Sequence, residues 1–264
     1  STDEQLEDIK AGARLLFNHR QLVEVRASGT DGYWKGFYFT DHERMAQVVK
    51  QLDADSRIVS IYYVFNQIDP KFIEKRQKCE CKICARGGLI VANPTPSQIE
   101  QILTGPSQHL TKDEDIVNLN WLFIDVDTIR APGHEHDCST QEEKKASKAV
   151  AMQVKKHLAD KGWPQPLVAD SGNGFHILQK INLTNTQDNL AEIIDCLKTL
   201  AAKFNCSAAK IDDSVKNAAR LTRAYGTSTR KGESTEERPH RRNRVYIPEK
   251  PIVPFKAWDN MYLY

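Results

Sequence analysis

The chain has 264 residues, 40% hydrophobic and 27% charged, enough to bury a sizeable core in one large domain or two intimate ones. Its 37 Lys/Arg against 35 Asp/Glu leave a formal charge of +2, so overall charge announces no polyanionic partner. No apolar stretch is long enough to span a bilayer and the first residues lack a signal-peptide pattern; the expectation is a soluble, cytoplasmic protein with no membrane partner.

Taken in chain order, the elements alternate. Helical periodicity runs from Glu4 to Phe17, and Gln21 to Ala27 with Tyr33 to Thr40 reads as a strand pair across a glycine-containing turn. Asp41 is placed to cap a helix reaching about Leu52. Ile58 to Phe65 is an apolar strand, and the Asn66 to Pro70 turn opens a short helix. Residues 78–110 read as an inserted excursion carrying cysteines, Gly87-Gly88 and three prolines, Pro94, Pro96 and Pro106. A strand over 121–128 follows, then a helix capped near Ser139 or Thr140 that ends about Lys161. Strands 166–170 and 175–181 flank a glycine turn, and a helix over 186–204 precedes a strand ending at Asp212.

Three of the six cysteines cluster as Cys79-Glu-Cys81-Lys-Ile-Cys84, flanked by Lys78, Lys82 and Arg86. An intracellular thiol cluster favours a metal over a disulfide, and basic neighbours help keep thiolates ionised. One structural zinc is the candidate occupant; it needs a fourth ligand, for which His134, His136 and Cys138 are the available donors, with Cys138 the preferred one. Cys196 and Cys206 read as core or surface thiols.

The chemistry concentrates further on. The run Trp121-Leu-Phe-Ile-Asp125-Val-Asp127 is a buried strand ending in two acids, and strand period sets both on one face. Two adjacent carboxylates repel unless positive charge sits between them, and a divalent metal supplies it. Ser171-Gly172-Asn173-Gly174-Phe-His176 is a tight turn whose amides and histidine suit an anion, although alone it is an ordinary hairpin turn. Ile211-Asp212-Asp213 ends another apolar segment in acids. From 210 to 250, eleven Lys/Arg face six acids, and within this tract Arg220, Arg223, Thr227 and Lys231 are spaced as a triphosphate grip.

The order hhhDhD, SGNGFH, then D-x-S-V-x-N-x-x-R-L-x-R-x-x-G-T-x-x-R-K resembles the catalytic core of the archaeo-eukaryotic primase superfamily, specifically its primase-polymerase (PrimPol) branch. Leu22 to Arg26, Gly36 to Phe39, and Ile61 to Asn66 followed by Asp69-Pro70 extend the resemblance over roughly residues 20–250. It implies an α+β fold: an N-terminal α/β module, 1–120 with its cysteine-bearing insertion, packed on an RRM-like catalytic module, 121–264, with the active site in the cleft between them. It further implies that Asp125, Asp127 and Asp212 hold two Mg²⁺ or Mn²⁺ ions. Ser171, Gly172, Asn173, Gly174, His176, Arg220, Arg223, Thr227 and Lys231 would contact the nucleotide. The activity implied is template-directed nucleotidyl transfer, making primers, extending strands, or both. The implied partners are a single-stranded DNA template, a primer strand, dNTP or NTP, and a helicase or accessory domain. Asp213 leaves the third ligand open between two neighbours, of which the motif register favours Asp212. The 78–110 excursion is longer than the usual connection in this branch. A metal-dependent nuclease would share the acids but has no use for the triphosphate grip. An inert binding relative would lack one of the three acids.

Overall fold

The computed structural model describes residues 2–214 and 217–256. In order, its elements are α1 (Thr2–Leu16), β1 (Val23–Gly29), β2 (Trp34–Phe39), α2 (His42–Ala54), β3 (Ile58–Val64), β4 (Gln67–Ile68), α3 (Phe72–Gln77) and α4 (Pro96–Thr104). Then come β5 (Ile116–Thr128), α5 (Gln141–Asp160), β6 (Leu167–Asp170), β7 (Phe175–Thr184), α6 (Gln187–Phe204) and β8 (Ala209–Ile211). Four short strands close the series: β9 (Leu221–Arg223), β10 (Ser228–Thr229), β11 (Arg241–Arg242) and β12 (Arg244–Tyr246). The fold is α+β. Two compact units emerge: Ser1–Asn118 with Ala218–Thr227, and Leu119–Asn217 with Ser228–Tyr264. The expected division at residue 120 therefore leaves out a return of 218–227 to the first unit. None of the described helices is long and apolar enough to cross a membrane.

The first unit is built on the antiparallel sheet β2-β1-β3-β9. Along β1, Val23, Val25 and Ala27 are fully buried on one face, where α2 packs against β1, β2 and β3, and α1 against α2. Asp41 caps α2 as expected, its side chain accepting from the Arg44 amide at 3.0 Å. The other face carries Glu24, which is fully buried yet bound on all sides: by the Arg26 guanidinium, the Tyr38 hydroxyl and the Thr111 amide. A buried charge is tolerable only when paired in this way. Beside it, Gln108 accepts from the Gly36 amide at 2.7 Å and donates to the Gly36 carbonyl at 2.9 Å. A Cβ at Gly36 would stand 2.6 Å from Leu110 Cδ2, so a side chain there would require the Leu110 side chain to shift. The excursion before it is not all loop. Pro96 opens α4 at N1, with Thr95 as cap and Gln98 completing a capping box.

The second unit runs β5-α5-β6-β7-α6-β8 with sheet order β8-β5-β7-β6, and β12 adds outside β6. This is the split βαβ arrangement shared by RRM-type modules. Leu122, Ile124 and Val126 of β5 are fully buried, as are Val154 and Leu158 of α5 and Leu197 and Leu200 of α6. Trp121, Phe123, Asp125 and Asp127 alternate onto the opposite face. Thr140, one of the two expected caps, begins α5 with Glu143 in a capping box. Glu143 also takes two bonds at 2.9 Å from Arg238, whose Nη1 donates to the Cys138 carbonyl at 2.8 Å. Burial pushes the Glu143 carboxyl up, but the Arg238 guanidinium and the backbone donors outweigh it and hold it down to about 2. Because the folded value is depressed, the pair's contribution is complete above the usual carboxylate range and is lost as pH falls toward 2. Arg238→Ala is expected to destabilise the fold at pH 7 by about 2 kcal/mol, and by less at pH 3, in urea titrations.

Candidate active site

The acids converge as strand geometry dictates. In the antiparallel β5–β8 pair, Val126 faces Ile211 and Asp127 faces Lys210, so Asp125 and Asp212 stand directly opposite. The Asp212 amide donates to the Asp125 carbonyl at 2.8 Å. Directly paired residues present their side chains to the same face, and period two adds Asp127 to that face. Asp212 Oδ1 accepts from the Ser214 amide at 3.0 Å, while Asp213 is exposed. Of the two neighbours, Asp212 is the one held beside the other acids.

His176 stands on β7, the strand next to β5, and is 4% exposed. Its Nε2 lies 3.5 Å from Asp125 Oδ1, and its ring meets Phe123 edge-on with centroids 4.8 Å apart. Phe123 thus fixes the imidazole against the acids. The electrostatics agree with the geometry. Burial and then the Asp125 charge push the Asp127 carboxyl above its ordinary range, opposed by Lys231, His176 and Arg130 acting through charge. Arg130 was not anticipated from the sequence. Its Nε and Nη2 are buried without a hydrogen-bond partner among the described residues. The only signal was its place three residues beyond Asp127, where a cation at a strand end is easily taken for an ordinary surface arginine.

The glycine turn is closed by its own side chains. The Gly172 amide donates to Asp170 Oδ1 at 2.8 Å and the Gly174 amide to Ser171 Oγ at 2.9 Å. Asn173 Oδ1 accepts from the Ser139 amide at 3.0 Å, leaving its Nδ2 buried and without a partner among the described residues. Both glycine amides are therefore engaged inside the turn. The glycines serve close approach instead: Gly172 has φ +90, and a Cβ at Gly174 would lie 2.4 Å from the Val126 carbonyl oxygen. The turn is thereby pressed against the acidic strand.

The basic residues divide between the units. Lys231 belongs with the acids in the second unit, and Arg220, Arg223 and Thr227 to the first. Thr227 is buried, its hydroxyl donating to the Ala224 carbonyl at 2.7 Å. Arg223 lies over the Tyr62 ring, guanidinium carbon to centroid 4.7 Å.

A separate donor set forms in the first unit. Cys79, Cys81, Cys84 and His109 bring one ligand atom each within 4.8 Å of one another. His109 Nδ1 stands 3.3 Å from Cys81 Sγ and 3.5 Å from Cys84 Sγ. This corrects the choice of Cys138 as fourth donor. Cys138 is fully buried in the second unit, 3.8 Å from the Thr229 carbonyl, and His134 pairs with Asp137 at 2.7 Å. Gln108 and Thr111 anchor the segment that presents His109, while the tight turn Cys84–Arg86, ended by Gly87 at φ +79, folds the cysteines together. The Cys84 amide and then the Cys79 thiol lower the Cys81 thiol to about 6, whereas burial pushes Cys84 up to about 12. Three thiols and an imidazole are the donor chemistry of structural zinc.

A scan against protein-family models finds no match for this chain, and a search of the curated proteins finds none. Among solved structures, the crystal structure of primase RepB' is similar, with a TM-score of 0.44 and 14% identity over 97% of this chain. The chain spans 60% of the length of that protein. The crystal structure of the catalytic domain of primase RepB' in complex with initiator DNA gives a TM-score of 0.41 and 14% identity, covering 97% of this chain and 90% of that one.

Proposed function

We propose that this chain is a nucleotidyltransferase of the primase-polymerase type, joining nucleoside triphosphates on a single-stranded DNA template. The observation that carries the reading is the single sheet face on which Asp125, Asp127 and Asp212 meet beside His176. Three carboxylates are hard oxygen donors suited to Mg²⁺ or Mn²⁺, and the raised Asp127 carboxyl marks a place that calls for positive charge. When bound, two such ions lower the pKa of an attacking hydroxyl and neutralise the departing pyrophosphate. The protein's own share is positioning. His176 is held by Phe123 where its Nε2 can donate to a phosphate oxygen, and Lys231, Arg130 and Asn173 Nδ2 offer further positive charge and donors. The sequence motifs add Arg220 to the triphosphate's contacts, whereas Arg223 is engaged on the Tyr62 ring.

The test is incorporation. The purified chain is mixed with single-stranded template, Mg²⁺ or Mn²⁺ and labelled nucleotides, with and without primer, alongside Asp125→Ala. New strands without primer that vanish in the variant establish a primase; extension from a primer alone establishes a polymerase. Shortened template, or no incorporation in any lane, overturns the reading and favours a nuclease or a binding module.

A further inference from the structure

The sheet of the first unit has a second face that the proposed chemistry does not use. Register places Arg26 opposite both Gly36 and Tyr62, Ser28 opposite Trp34 and Ser60, and Tyr62 opposite Arg223. Paired residues share a face, so all of these lie on the Glu24 side. The 108–111 segment covers that face at Glu24 and Gly36. Trp34 is 41% exposed, and its indole meets the Tyr62 ring at 5.8 Å with the planes at 55°. Arg223 then lies over Tyr62 at 4.7 Å. Three flat groups from three strands form a ladder: Trp34, Tyr62, Arg223.

Arg223 is the member that points to a ligand. Its Nη1 is buried and has no hydrogen-bond partner among the described residues, whereas neighbouring Arg26 is satisfied by Glu24 and the Thr111 carbonyl. A donor withdrawn from water without an acceptor is costly unless something supplies one. The acid on this face, Glu24, is fully buried and already neutralised, so the face presents rings and positive charge.

We infer that this ladder is a docking platform for single-stranded nucleic acid, with a base stacked on Trp34 and a backbone phosphate on Arg223. Every base has a π-face, so such stacking tolerates any sequence, and a guanidinium held flat on a ring is already ordered for a phosphate. A duplex hides its base faces inside the stack and cannot use Trp34. A proline-rich peptide could use the rings but brings no anion to Arg223. The inference rests on the proposed function only for identifying the strand as template; binding itself needs neither metal nor turnover.

The test is fluorescence anisotropy of labelled oligo(dT) titrated with the full chain, without divalent metal or nucleotide, beside a matching duplex and a proline-rich peptide. Trp34→Ala and Tyr62→Ala are expected to weaken oligo(dT) binding about tenfold, while Trp34→Phe stays within about twofold. Arg223→Ala should lower the slope of log affinity against log salt by about 0.7. Circular dichroism melts identify any variant that has lost its fold, and the pair Trp34→Ala and Trp34→Phe, at an exposed position, then decides the outcome. Wild-type affinity in Trp34→Ala, equal weakening for single strand and duplex, or a platform taken by the peptide and not by oligo(dT) overturns the inference. An absence of nucleotide incorporation, with and without primer, would defeat the proposed function and leave this binding result standing; the converse also holds.

Discussion

Under the proposed function, Asp127→Asn is expected to lower nucleotide incorporation by on the order of 10³-fold while raising the melting temperature of the metal-free protein. The two effects have one cause. Burial and the neighbouring Asp125 charge hold the Asp127 carboxyl above its ordinary range, so the folded state favours the proton more than the unfolded state does. For a carboxyl raised in this way, its stabilising contribution is complete below the unfolded pKa and disappears as pH climbs through the folded one. At neutral pH the carboxylate is therefore a burden on the fold, which asparagine lifts without changing shape. Mg²⁺ or Mn²⁺ reverses the order, because a ligand bound to the native state stabilises it by mass action. Melting curves of wild type and variant at pH 5 and pH 8, with and without Mn²⁺, read this directly. A variant that keeps its activity, or melts lower than wild type in metal-free buffer at pH 8, would contradict the account. The stability–activity opposition is the physical signature of a site built for a cation.

The second large effect concerns the thiol cluster. The purified protein is expected to carry one zinc per chain, measured by elemental analysis. Its removal by a chelator should lower the melting temperature by roughly 10 °C, since metal binding adds directly to folding free energy. His109→Ala should lose the metal and Cys138→Ser should keep it. The reverse pattern, or a protein purified without zinc, would dismiss the Cys79, Cys81, Cys84 and His109 centre. The expected damage is local. The cysteines and His109 tie two ends of the 78–111 excursion, whose last residues cover the Glu24 face of the sheet.

What could be read from the sequence was local chemistry. The pairing of Asp125 with Asp127 on one face follows from strand period alone, and the caps Asp41 and Thr140 follow from residue type beside an apolar helix. His109 was not legible. It stands 25 residues from Cys84, beyond α4, and what brings it home is the hold of Gln108 on Gly36 and of Thr111 on Glu24. Contacts of that span leave no periodic trace. The local use of the glycine amides in the Ser171–Gly174 turn was not legible either: Asp170 and Ser171, just before them, accept from those amides. Strands β9 to β12, two or three residues each, were missed because strands so short show no alternation to detect.

Consider how this molecule is made. Asn66 Nδ2 donates to the carbonyl of Ala218, a partner 152 residues further along, and β3 acquires β9 through the pairs Tyr62 with Arg223, Tyr63 with Thr222 and Val64 with Leu221. A nascent chain emerges from its N-terminus at roughly 5–20 residues per second, so the unit that begins first waits many seconds for its last strand. During that interval the growing polypeptide carries a bare β3 edge, the kind of template on which other strands add themselves. Stalled translation or a stop codon anywhere between 119 and 217 would leave β3 without its β9 partner. Unit 1 cannot close its sheet until residues 119–217 of the other unit have been made.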